Sequence, residues 1–149
     1  MIIQGKYPIE ATTQDVWNSL MDPDVLRRIT PGISELNPLG GDKYKAISNI
    51  KIGPVKGRFE GQLELRDKIE NSEATIIINQ KSKIGNVFAE IKIQLNTVQN
   101  TTEIDYKGEA KLTGKLAMLG QRIIGGVIST LSRQFFKGLN NEINYNHKT

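Results

Sequence analysis

The sequence has no cysteine, which excludes disulfides, iron–sulfur clusters and thiol catalysis. Its single histidine, His147, lies at the polar C-terminus. A zinc or haem site would therefore rest on carboxylates alone, and no hydroxyl has a histidine base with which to build a nucleophilic triad. Aromatic residues make up only 6% of the chain, with one tryptophan. No recognition motif or aromatic-plus-basic platform accompanies the positive charge, so nucleic acid is not an expected partner. No apolar run approaches the eighteen or so residues of a spanning helix. Residues 1–6 read as the start of a strand, without the leader or cleavage site of a signal peptide. The glycine-rich joints lack the Gly-x-x-x-x-Gly-Lys pattern of a phosphate loop. What remains is a cytoplasmic protein for which no metal and no cofactor is expected.

Residues 1–149 fit one domain, a length that buries about 68–70% of the unfolded surface without covalent staples. The net charge is +4, unevenly placed: residues 1–74 hold ten Lys/Arg against eleven Asp/Glu, and residues 75–149 hold ten against five. The basic half reads first as a solvated face. A weak attraction to an anionic membrane or an acidic partner is the alternative.

The motif Ile52-Gly53-Pro54-Val55-Lys56-Gly57 joins two long alternating runs. Tyr44, Ala46, Ser48, Ile50 and Ile52 share one face before it, and Phe59, Gly61, Leu63 and Leu65 share one after it. Period two marks strands with one wet face, and the Gly-Pro joint makes the pair a hairpin. Further strands are predicted at about 2–9, 73–83, 87–96 and 102–113, with 33–36 as an additional candidate. In 87–96 and 102–113, Ala89, Ile91, Tyr106, Gly108 and Ala110 face one way. Ile76-Ile77-Ile78 breaks the alternation, so one of the three is shielded on the outer side or exposed. After the first strand, Thr12 or Thr13 caps a short helix carrying Val16, Trp17 and Leu20. Asp22-Pro23 then starts a second helix, with the cap followed by proline at the first helical position.

Near Gly114 the period changes. Leu116, Leu119, Ile123, Ile124, Val127, Ile128, Leu131, Phe135, Leu139 and Ile143 recur at helical spacing. They predict one helix over about 116–145, some 45 Å long at 1.5 Å per residue. Met118, Leu119, Phe135 and Phe136 read first as core. Phe136, off the main stripe beside Lys137, is also the candidate for an exposed membrane-touching group. The order is α+β: a strand, two short helices, a meander of long antiparallel strands, and a long helix. Both apolar surfaces are buried if a sheet of six or seven strands curls around the helix. A cavity remains wherever the residues near the axis are small, and Gly125-Gly126 is expected to face it.

The sequence resembles the CoxG family of carbon monoxide dehydrogenase accessory proteins, within the START-like helix-grip superfamily. The resemblance rests on Gly5-Lys6-Tyr7 with Val16-Trp17, and on Asp22-Pro23-Asp24-Val25-Leu26 through Ile29-Thr30-Pro31-Gly32. It also rests on Lys51-Ile52-Gly53-Pro54-Val55-Lys56-Gly57 with Phe59 and Gly61, and on Gly114-Lys115-Leu116-Ala117-Met118-Leu119-Gly120-Gln121-Arg122. It implies a hydrophobic cavity and an accessory role beside a molybdenum-flavin dehydrogenase, including membrane attachment and handover of electrons to a quinone. Family members often carry a C-terminal extension ending in a membrane segment. None is seen up to Thr149, so peripheral contact by the domain itself is the expectation.

The candidate ligand-binding residues are Tyr44, Ala46, Ser48, Phe59, Gly61, Ile76, Ile78, Ile91, Tyr106, Ala110, Val127 and Leu131. The expected ligand is an apolar small molecule, a lipid or an isoprenoid quinone. Tyr44 and Tyr106 are either satisfied core hydroxyls or hydrogen-bonding groups for a ligand. Trp17 packs the first helix or fringes the cavity. Glu60 and Glu64, beside Arg58 and Arg66, read as a solvated salt-bridge face. Two classes stay open: a binding and adaptor domain without catalysis, or a cyclase-like or hydrolase-like enzyme using the same cavity. Charged residues facing one another inside the pocket would favour the enzyme.

Overall fold

The first reversals form where the sequence caps them. Thr12 accepts the backbone N–H of Asp15 to open α1 (Thr13–Leu20), and Asp22 accepts that of Asp24 to open α2 (Pro23–Ile29). In the computed structural model, which describes the backbone of residues 1–148 and the side chains of 1–145, these helices follow β1 (Ile2–Ile9). Six strands come next: β2 (Ile33–Gly40), β3 (Lys43–Ile52), β4 (Val55–Ile69), β5 (Glu73–Ser82), β6 (Gly85–Val98) and β7 (Thr101–Leu112). All pair antiparallel in one sheet, in the order β1-β7-β6-β5-β4-β3-β2. The 33–36 candidate does pair, which makes seven strands. Because β1 joins β7 and β2 forms the other edge, α1 and α2 carry the chain from one edge of the sheet to the other.

The Gly53-Pro54 hairpin is a two-residue turn between the paired Ile52 and Val55, with Gly53 at φ 53°. Alternation holds along the strands. Ile76 and Ile78 face the helix side, while Ile77 lies on the outer face between Glu64 and Glu90 and is still only 8% exposed. Two inward positions cannot carry a side chain. A Cβ at Gly61 would strike the Asn79 carbonyl, and one at Gly108 would strike that of Glu90. Glycine there lets neighbouring strands approach more closely than a side chain permits.

The last segment departs from the predicted single helix. It divides into α3 (Gly114–Met118) and α4 (Gly120–Lys148), separated where Gly120 takes φ 83°. Leu116 is buried, but Met118, expected in the core, is 84% exposed at the break. The 29 residues of α4 span about 44 Å. Its buried stripe is Ile124, Val127, Phe136, Leu139 and Ile143. Phe136 is therefore not a membrane-touching group: it is 5% exposed and stacked between Tyr7 and Tyr106, with ring centroids 5.3 and 5.2 Å away. The Gly125-Gly126 pair does not face the cavity either. Gly126 is exposed, and a Cβ at Gly125 would meet only the Met1 side chain. The helical stripe puts Ile124 and Val127 inward, which turns the residues between them outward.

Candidate functional site

The seven strands and the long helix leave a partly open apolar space of about 430 Å³ between α4 and the sheet. Tyr44, Ala46 and Ser48 reach it from β3, and Phe59 from β4. Ile76 and Ile78 line it from β5, Ile91 from β6, and Tyr106 and Ala110 from β7. Val127 and Leu131 close it from α4. Eleven of the twelve candidate residues thus meet around one cavity. Gly61 is the exception, because its missing side chain is taken up by the close passage of β5 rather than by open space. Ala89, another small inward residue, also lines the wall.

Much of the rest of the wall was not among the candidates. Leu20 of α1, Met21 at its C-cap and Leu26 of α2 close part of it together with Trp17, which is 8% exposed and touches both core and cavity. Phe135 and Ser132 extend the helix side. Gln80 projects from β5 into the same space, 7% exposed. Parity from Ile76 and Ile78 would have placed it there, but the triple isoleucine obscured the alternation.

Electrostatically the cavity is nearly bare. Among the described residues no lysine, arginine or histidine lines it, and Glu73 is the one carboxylate that does. Lys92 meets the Glu73 carboxylate at 3.0 Å. That contact holds the carboxyl below its ordinary value, against the opposing pull of desolvation. Among the described residues, no second charged side chain lines the cavity beside Glu73. The hydroxyl of Tyr106 lies over Gly5, whose lack of a side chain admits the ring. The described residues contain no cluster suited to a metal ion. His147 lies outside the residues whose side chains are described.

The outer face is polar and paired. Arg58 bridges Glu60 at 2.8 Å and Arg66 bridges Glu64 at 3.0 Å, as the solvated-face reading expected. Arg66 keeps the Glu64 carboxyl below its usual range. An open groove over β1, β7 and β6 is walled by Lys6, Lys92, Lys107, Gln94 and Asp105. Two of its three lysines are engaged, Lys6 by Glu103 and Lys92 by Glu73. No helix of the described residues is long and apolar enough to cross a membrane.

Solved structures repeat this architecture. A conserved protein from Geobacillus kaustophilus is 34% identical, with a TM-score of 0.95, over 97% of this chain and 96% of its own. A START superfamily protein from Mycobacterium smegmatis is 10% identical at a TM-score of 0.73, over 97% of each chain. A protein from Thermus thermophilus is 14% identical at 0.73, over 97% of this chain and 98% of its own. The last two show the fold alone. No curated protein matches the sequence. The family model for the CoxG subunit of carbon monoxide dehydrogenase matches residues 5–144. With that match spanning the sheet, the cavity and nearly all of the long helix, the chain belongs to the CoxG family.

Proposed function

We propose that this domain is a non-catalytic carrier of an apolar small molecule, a lipid or an isoprenoid quinone. In this reading it serves as an accessory that brings a molybdenum-flavin dehydrogenase to the membrane. The observation that carries the reading is the cavity between α4 and the sheet: about 430 Å³, within the usual 300–1,000 Å³ of small-molecule sites, and walled almost entirely by aliphatic and aromatic side chains. The match to a dehydrogenase accessory family supports the partner. The lack of facing charged groups in the cavity supports binding over catalysis.

Membrane contact falls to the α3–α4 junction. Met118 and Ile123 are 84% and 43% exposed there, and Lys115 and Arg122 flank them without an ion pair among the described residues. Apolar side chains between basic ones suit an anionic surface, where each basic group contributes about 1 kcal/mol. Binding of that kind is reversible and weakens with salt.

Two measurements test the proposal. Native mass spectrometry of the purified protein should show a retained apolar molecule, and Ala110→Phe, which fills the cavity, should remove it while the fold survives. Flotation with anionic liposomes should carry the protein up at low salt and not at high salt. Retention that Ala110→Phe leaves unchanged would put the ligand elsewhere, and no flotation at any salt would reject membrane recruitment.

A further inference from the structure

Gln80 is the one carboxamide in a mostly apolar wall. It is more than nine-tenths buried, it lines the cavity, and neither its Nε2 nor its Oε1 has a hydrogen-bond partner. Its surroundings explain why the protein does not supply one. The residues opposite it across the strands are Gly61 and Val87, which offer no polar side chain. Along β5 its same-face neighbours are Ile78 and Ser82. The Ser82 hydroxyl is already committed, donating to the Gly85 carbonyl at 2.6 Å and accepting from the Ile84 N–H. A buried carboxamide left unpaired is destabilising, and native interiors pair such groups almost without exception. A leucine or methionine would fill the same position without that cost.

Resting on the carrier reading above, we infer that Gln80 is the polar anchor of the cavity. It would select an apolar molecule that carries one uncharged carbonyl or hydroxyl group. A carboxamide presents both a donor and an acceptor, so it satisfies either group. Charge is disfavoured by the rest of the wall. With no cationic side chain among the described residues lining the cavity, an ionised carboxylate or phosphate head would be desolvated without a counter-charge. The ligand class is thus a neutral alcohol, ketone or quinone with a hydrocarbon body, rather than a fatty-acid anion or a phospholipid head.

The experiment loads the protein with diphenylhexatriene, which is apolar and forms no hydrogen bonds. It then displaces the dye with dodecane, 1-dodecanol, 2-dodecanone and, at pH 8, dodecanoate. Wild type should be displaced by the alcohol and the ketone at about tenfold lower concentration than by the alkane, in line with one hydrogen bond in a dry site. Dodecanoate should be weaker than dodecanol. In Gln80→Leu the polar advantage should shrink to within about threefold while dye uptake is kept, and the melting temperature should hold or rise. Gln80→Met, unbranched like the native side chain, should behave the same and guards against repacking. A polar advantage that survives in the folded variants would overturn the assignment, as would a wild type that prefers none of the polar probes. Failure of the dye to enter wild type at all would instead reject the carrier reading beneath it.

Discussion

The two ends of α4 are buried in hydrophobic clusters of similar composition and unlike packing. Around Phe136, Leu139 and Ile143, the helix is covered by the sheet on one side and by α1 and α2 on another. Ile9, Val16, Ile104 and Leu139 there have no solvent exposure at all. Thr102, also fully buried, donates to the Ala11 carbonyl at 2.8 Å and ties β7 to the turn after β1. Arg28 of α2 reaches across to Glu142 of α4, its Nε 3.0 Å from the carboxylate. Around Leu116, Ile124 and Val127 there is no such third layer. The best-buried member, Leu116, keeps 3% exposure, and Ile84, Val87, Leu112, Ile128 and Leu131 are only partly buried. A helix and a sheet alone do not fill the space between them when the facing strand residues include Ala46, Ala89 and Ala110. Leu139 and Ile143 at the first end stand away from the cavity, whose wall takes Trp17, Leu20 and Phe136 from that cluster and Phe59, Leu116, Ile124 and Val127 from the other.

The sharpest way to break this comparison is to truncate both ends. Leu139→Ala should cost about 4 kcal/mol in urea denaturation, near the upper part of the range for buried leucines, because nothing can collapse onto the void. Ile124→Ala, beside existing free volume, should cost about 2 kcal/mol and enlarge the cavity. Equal costs would mean that the two ends are packed alike. Gly61→Ala comes next: the new Cβ strikes the Asn79 carbonyl, so a loss of about 2–3 kcal/mol is expected, and the dye affinity of the folded fraction should not change. Reduced affinity in that fraction would return Gly61 to the cavity wall.

Smaller effects are expected at the surface. Met118→Glu should alter stability by no more than about 0.5 kcal/mol and yet reduce liposome flotation at low salt. Unaltered flotation would move the membrane contact away from the α3–α4 junction. The smallest effect is acid sensitivity. Glu73 and Glu64 have their carboxyls lowered in the folded state by Lys92 and Arg66. Their contribution is present above the unfolded carboxylate value of about 4.3 and is lost as pH falls through the lowered folded values. Lys92→Met should therefore narrow the stability difference between pH 6 and pH 3 slightly, and an unchanged difference would show that this pair contributes nothing.

The strands were legible because alternation depends only on neighbours two residues apart. Tyr44, Ala46 and Ser48 could be assigned a common face before any partner strand was known, and so could Tyr106 and Ala110. The two short helices were legible for a similar reason, since Thr12 and Asp22-Pro23 act within a single turn. Gln80 was missed at the one place where local parity failed, beside the outer-face Ile77. Met118 was misplaced, and Phe136 was left open between core and surface, because a helical period alone does not say which flank of the stripe a neighbouring element covers.

The sequence by itself determined the period of each segment, its caps and turns, and the family. Those properties follow from residues close together in the chain. Tertiary structure decided that Gly61 and Gly108 serve strand approach rather than open space, that Gly120 divides the final helical segment, and that Phe136 stacks between two tyrosines. It also decided that a buried carboxamide stands unpaired in a mostly apolar wall. Each of these depends on what lies opposite a residue across the sheet or the helix, and such partners are set by long-range pairing that no local pattern contains.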